Sequence, residues 1–424
     1  MLLVYLLILL VVAALVAPLI PQRRRARAGW DGIPFVTLGL ILTNLLVFLF
    51  TVEKNDLGLL SAHIDPGVAR HFGIIPHAAT LVTLFTHIFL HAGWEHLFGN
   101  MLFLWLFGPH VEEALGRLEY LLFYLGGGIT AGLMHVLIAV TVLNAAADAP
   151  LVGASGAIAA VIGLYAVRFW RAKMRVLLLF SVPSVWALGV FGLFALWSGV
   201  RSLADGGASD GTANWAHVGG FLFGALIAVP LRVKDDSRRE YTLEDADKAA
   251  AGNDPEKAAE LYRKYLAENP ADAHAHRSLA RACVRLRQGE TAHAHFMESL
   301  RLSLSQPASP ANTAAVAGVY ADACTAFAQF PLPPALLSRI AGACEETGNY
   351  NLAVRALSDL CRDHPDAKEA ETGLLRLGKL HLQRLNQAGT AGAIFGEFLR
   401  LYPESEWRGH VERLWAEAER KGGR

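Results

Sequence analysis

Long apolar runs, broken by short polar loops, fill the chain from its first residue to about residue 231 and then stop. Windows of bilayer-spanning length fall at about 1–21, 34–52, 93–110, 119–143, 153–169, 176–200 and 214–231. Beyond 231 the pattern becomes charged, Ala-rich and Leu-rich, as an amphipathic helical array requires. The pattern therefore predicts an all-α protein: a polytopic membrane helical bundle followed by a soluble α-helical repeat domain.

Within the soluble half, Ala246 and Ala280, Ala258 and Ala292, and Tyr262 and Phe296 are each 34 residues apart, the period of tetratricopeptide helix pairs. A second copy runs from 337 to 365, where Ala341, Gly348, Ala353, Leu357 and Pro365 match the small residue, turn, small residue, large residue and stop of that repeat. Ala391, Phe395 and Pro403 repeat its second helix. About four helix pairs are expected, irregular around 304–335, where five prolines interrupt the period. Stacked pairs leave a concave surface, which reads as a module for a cytosolic protein partner. The expected division is a membrane anchor and basic loop at 1–30, a membrane domain at 31–231, a charged linker at 232–242 and repeats at 243–424.

Charge matters here by placement. Residues 1–231 hold 12 Lys/Arg and 11 Asp/Glu, and the basic ones cluster after the first window (Arg23, Arg24, Arg25, Arg27), the fifth (Arg168, Arg171, Lys173, Arg175) and the seventh (Arg232, Lys234, Arg238, Arg239). Basic loops stay cytoplasmic, so the N-terminus and the loops at 53–92, 144–152 and 201–213 are expected outside and the repeats inside. The first window reads as a retained span rather than a signal peptide, because its Arg cluster follows the apolar run. A formal net charge of zero, with no dense basic or aromatic-interleaved stretch, gives no sign of nucleic acid as a partner. Cys283, Cys324, Cys344 and Cys361 all lie in the soluble half with no C-x-x-C pair, as suits reduced cytosolic thiols.

Polar side chains at membrane depth are costly and mark function by default. Ser155, in Gly153-Ala154-Ser155-Gly156, is followed 62 residues later by His217 in another glycine-rich apolar stretch. His96 and Asn100, four apart, share one helix face and could donate to a developing oxyanion. Each has a plainer reading as well: a serine bonding its own helix, a histidine or asparagine bonding across a helix contact. Gly220 and Gly224 form a small-x-x-x-small row beside His217, and Gly153 and Gly156 are small residues by Ser155, so the two helices could approach closely. His274, His276, His293 and His295 alternate with alanine on helices and read as structural or surface residues; no metal site and no cofactor fingerprint is found. The spans lack a Lys/Asp/Glu relay or paired interrupted helices, which argues against a transporter.

The ordered set His96-x-x-x-Asn100, Gly153-x-Ser155-Gly156 and Ala216-His217-x-x-Gly220-x-x-x-Gly224, each in its own span, resembles the rhomboid family of intramembrane serine proteases over about residues 34–231. The stretch from His91 to Phe103 and the residues Gly108, Pro109, Val111, Glu112, Gly116 and Arg117 add local matches. The resemblance implies a six-helix core, here with one extra N-terminal span, and an active site opening to the outer face. It also implies Ser155 as nucleophile, His217 as general base, and an oxyanion held by the Ser155 N–H with His96 and Asn100. Single-span transmembrane proteins in the lipid bilayer would be the substrates, and the expected location is a bacterial inner membrane. The other function the resemblance allows is a catalytically silent protein that binds transmembrane helices. Two positions depart from the family pattern: Ala159 stands where members often carry an aromatic residue, and Val82-Thr83 where many bacterial members carry Trp-Arg.

Overall fold

The computed structural model describes residues 33–53, 63–142, 149–176, 180–204 and 213–422. The first expected span, at 1–21, lies outside them. The chain forms two compact units, Met1–Ser237 and Arg238–Arg424.

Among the described residues the first unit holds six long helices: α1 (Phe35–Thr51), α4 (Trp94–Leu115), α5 (Arg117–Thr141), α6 (Ser155–Arg168), α7 (Ser184–Ala204) and α8 (Ala213–Ile227). Two short ones, α2 (Pro66–Phe72) and α3 (Leu81–Thr86), lie in the segment between α1 and α4. A hairpin of β1 (Val52–Glu53) and β2 (His63–Ile64) follows α1, and a second, β3 (Lys173–Val176) with β4 (Phe180–Pro183), precedes α7. The window at 176–200 therefore begins as strand and becomes helix only at Ser184.

α6 is the central post. Every residue from Gly156 to Ala166 is buried, as befits a helix that is apolar all round. It packs against α4, α5 and α8, and small residues set how closely. A Cβ added at Gly220 would lie 2.0 Å from the Gly156 carbonyl oxygen, and one at Gly163 2.2 Å from that of Phe221. With 14 residues, α6 is about 21 Å long, short of the roughly 30 Å of a hydrocarbon core. Of the described helices, α5, with 25 residues, is the one both long and apolar enough to cross a membrane by that measure.

The start of α1 is tied to the end of α4 by one buried carboxylate. Glu112 accepts the N–H groups of Val36 (3.0 Å) and Thr37 (2.8 Å) and the Thr37 hydroxyl (2.7 Å). A negative side chain thus caps the α1 amides that have no partner within the helix. At the other end of α6, the buried Ser237 hydroxyl accepts from the Arg168 guanidinium at 2.9 Å. Ser237 belongs to α9 (Val233–Ala251), which includes most of the stretch expected as a linker.

The second unit continues with α10 (Pro255–Glu268), α11 (Ala273–Arg285), α12 (Gly289–Ser305), α13 (Pro310–Ala326), α14 (Pro334–Glu346), α15 (Tyr350–Asp363), α16 (Lys368–Gln383), α17 (Ala388–Leu401) and α18 (Arg408–Gly422). The residues of the 34-residue period, Ala246, Ala258, Tyr262, Ala280, Ala292 and Phe296, are all buried in its core. Four helix pairs share a turn with a left-handed residue: Asn253 (φ 60°), Arg287 (φ 57°), Gly348 (φ 74°) and Asn386 (φ 54°). In the first three, the next N–H reaches back five residues, from Asp254 to Ala249, Gln288 to Cys283 and Asn349 to Cys344, the bond that closes a helix end around such a residue.

Two of the four histidines meet across α11 and α12. His276 Nε2 lies 3.1 Å from the Pro270 carbonyl oxygen and must donate to it, so its Nδ1 is an acceptor and His295 Nδ1–H, 2.9 Å away, donates.

Candidate active site

The turn ahead of α6 is built around a strained glycine. Gly153 has φ 131°, a conformation glycine alone adopts readily, and its N–H donates to the His87 carbonyl at 2.9 Å. A Cβ there would stand 2.7 Å from the His96 ring. Gly153 therefore lies in a turn rather than a helix–helix contact, and it lets His96 approach Ser155 across bare backbone. Gly156, Gly220 and Gly224 do sit between helices; a Cβ on Gly224 would be 1.9 Å from the Ala160 carbonyl oxygen.

Ser155 is the first residue of α6, so its amide belongs to the first turn, whose N–H groups lack intrahelical acceptors. Its Oγ lies 2.8 Å from His217 Nε2, the ring coming from α8. Close packing of α6 on α8 through glycine makes this reach possible. Among the described residues no carboxylate is hydrogen-bonded to His217.

His96 and Asn100 project from α4 into the same space. The Ala92 N–H donates to His96 Nδ1 at 3.4 Å, which leaves the proton on Nε2, the atom turned toward Gly153 and Ser155. The Asn100 Nδ2 amide is buried and has no acceptor among the described residues. A cavity of about 290 Å³ opens here, lined by His96, Asn100, Ser155 and His217 with apolar neighbours from α4 and α6. Two donors and a helix-start amide thus face one space beside a hydroxyl that is hydrogen-bonded to an imidazole, the parts that acyl transfer requires.

Further residues surround the site. The His91 ring is buried edge-on to His96, with centroids 5.2 Å apart. His87 fixes the turn through its carbonyl while its own Nδ1 lies 3.1 Å from the Thr83 carbonyl oxygen. Thr83, at the position that departs from the family pattern, is one half of a capping box with Thr80 at the start of α3. Ala159 is buried on α6, 3.3 Å from where a Cβ on Gly220 would stand.

This is a helical bundle carrying a serine–histidine pair beside a cavity. Comparison with known proteins finds domain matches in two segments. Residues 78–234 match the rhomboid domain and residues 372–405 a tetratricopeptide repeat. The chain thus carries a rhomboid domain and, after it, a tetratricopeptide repeat. It is 34% identical over 152 residues to rhomboid-like protein 11, chloroplastic, of Arabidopsis thaliana, covering 34% of this chain and 49% of the relative. It is 40% identical over 82 residues to the rhomboid YdcA of Bacillus subtilis (strain 168), covering 19% and 38%. To rhomboid protein 1, mitochondrial, of Saccharomyces cerevisiae it is 28% identical over 171 residues, covering 40% and 47%. The matches span less than half the length of each relative.

Proposed function

We propose that this protein is an intramembrane serine endopeptidase that cleaves transmembrane segments through a Ser155–His217 dyad. The observation that carries the reading is the 2.8 Å contact between Ser155 Oγ and His217 Nε2 at the edge of a cavity inside an apolar bundle. His217 takes the Ser155 proton as Oγ attacks the carbonyl carbon and gives it to the departing amine; water, activated by the same ring, then releases the acyl group. The oxyanion is held by the Ser155 N–H, His96 Nε2–H and Asn100 Nδ2–H, the last buried with no other acceptor among the described residues.

A lipid setting is supported by the outer surface of the first unit. Phe50, Leu81, Trp186 and Leu193 are each at least two-thirds exposed, and further leucines, phenylalanines and tryptophans join them. A surface this apolar is a liability in water and a requirement in a bilayer. With basic residues after α6 and α8, the Ser155 end of α6 faces outward and the repeats lie in the cytoplasm. Substrates are single-span proteins whose helix unwinds near its outer end, since a helical peptide bond is closed to attack. The repeats hold a cytosolic tail or adaptor.

A serine-directed phosphonate tests the dyad. It should label wild-type protein in bilayers at Ser155, as mapped by mass spectrometry, and label His217→Ala at least about 100-fold more slowly, because the hydroxyl loses its base. Equal labelling of both proteins would remove His217 from the mechanism.

A further inference from the structure

A second cavity, of about 700 Å³, lies within the second unit, where the loop before α11, the end of α12 and the start of α13 come together. That is the size of a ligand pocket rather than of a packing defect. The starts of α11 and α13 both border it. Their N-caps take one amide each: Asp272 accepts from the Ala275 N–H at 3.0 Å and Ser309 from the Asn312 N–H at 3.2 Å. The N–H groups of Ala273, His274 and Ala311, in the same first turns, have no acceptor among the described residues. A helix start favours negative charge, but water alone can satisfy it. Ser303 asks for more. It borders the cavity from α12 at 3% exposure, and its hydroxyl has no partner among the described residues. Ser299, one turn earlier, donates to the Ala273 carbonyl at 2.7 Å. Buried hydroxyls are ordinarily bonded, so the Ser303 hydroxyl is left to donate to what enters the cavity.

The carboxylate and the guanidinium that border the cavity are already engaged. Asp272 also accepts from the Tyr265 hydroxyl at 2.9 Å, and Arg277 donates to Asp322 at 2.6 Å and to the Gly318 carbonyl at 3.0 Å. The donors that remain are neutral groups, which suit a single negative charge and lack the guanidinium fork that recognises phosphate. Ala311, Ala315 and Val319, spaced four apart on one face of α13, give the cavity an apolar side. An acidic side chain on an extended peptide presents that combination, one carboxylate with hydrocarbon beside it. Resting on the reading that the repeats hold a cytosolic tail, we infer that this cavity selects tails carrying an Asp or Glu side chain. The carboxylate accepts from the Ser303 hydroxyl and the free amides of α11 and α13, and the flanking residues of the tail lie along α13. A glutamine of the same shape brings no charge to the two helix starts, and a lysine sets its charge against them.

Full-length protein in detergent is titrated against fluorescent octapeptides of Gly, Ser and Ala with one central Glu, Gln or phosphoserine, and binding is read by anisotropy. The Glu peptide should bind at least about 10-fold more tightly than the Gln peptide, the gain that charge gives a hydrogen-bonded acceptor. Ser303→Ala removes one oxygen and leaves a good helix former, and it should bring that ratio to about 3 or below. Ser305→Ala, at an exposed position on the same helix outside the cavity, should leave the ratio unchanged. The ratio is internal to each preparation, so partial unfolding does not move it. Equal binding of Glu and Gln peptides, a ratio that Ser303→Ala does not move, or tighter binding of the phosphoserine peptide than of the Glu peptide overturns the assignment. The tail reading fails separately: if the Glu peptide binds through Ser303 while removal of the repeats leaves processing of the native substrate in cells unchanged, the site stands and its role in substrate choice falls.

Discussion

At the scale of single residues, the four polar side chains of the candidate site were readable because polar side chains are few in windows that are otherwise apolar. Ser155, His217, His96 and Asn100 interrupt apolar runs, and their spacing brings them to one cavity. Asn100 makes the sharpest forecast. Its amide lacks an acceptor among the described residues, so Asn100→Ala should lower kcat by roughly 10²-fold to 10³-fold with little change in KM, as loss of an oxyanion donor does. If thermal stability in detergent falls enough to account for the whole loss, the residue is interhelical glue instead. Gly153→Ala should be worse tolerated, since it demands both a positive φ and a methyl 2.7 Å from His96. Other residues were illegible for a physical reason. The capping role of Glu112 leaves no local pattern because the amides it caps belong to residues 75 and 76 positions earlier.

Elements were legible where one period persists. Six of the seven apolar windows contain or overlap a helix of the bundle; the boundaries differ where backbone pairing intervenes, as at β3 and β4, or where a helix is enclosed and need not span alone, as with α6. The tetratricopeptide period marks buried positions, while the left-handed turns at Asn253, Arg287 and Asn386 escape notice because no glycine announces them. The His276–His295 pair escaped for a similar reason: alternate residues on one helix point apart, and the partner comes from the neighbouring helix. Burial first, then the neighbouring His276 and Arg263, holds the His295 pKa below its ordinary 6.5. A histidine whose pKa is lower folded than unfolded contributes stability above 6.5 that is lost as pH falls. Hydrogen-exchange protection factors across α11 and α12, corrected for the slower intrinsic exchange in acid, should therefore fall between about pH 7 and 5, and His295→Gln should flatten that dependence. An unchanged slope in the variant would assign the acid sensitivity elsewhere.

For the whole molecule, composition separates an apolar half from a charged half, and the two compact units divide between Ser237 and Arg238. The exact join was not readable, because α9 is one charged helix that begins before it and ends after it, and Ser237 is bonded to Arg168 of α6. A truncation meant to isolate the catalytic unit must therefore keep α9 to Ala251. Such a protein should cut a generic reporter in detergent at close to the wild-type rate and process its native substrate less well in cells, since tethering raises local concentration without touching the reacting groups. Loss of all cleavage by a folded truncation would make the repeats part of the catalytic unit.

The account rests on Ser155 as a nucleophile within the bilayer. The direct measurement is cleavage of a tagged single-span reporter in liposomes by purified wild type and by Ser155→Ala, with both proteins checked for equal helicity and thermal stability. Wild type should cut within the reporter's span near its outer end, and the variant should be slower by at least about 10⁴-fold, as removal of a nucleophile demands. Cleavage by a well-folded Ser155→Ala protein at a comparable rate and at the same bond would contradict it.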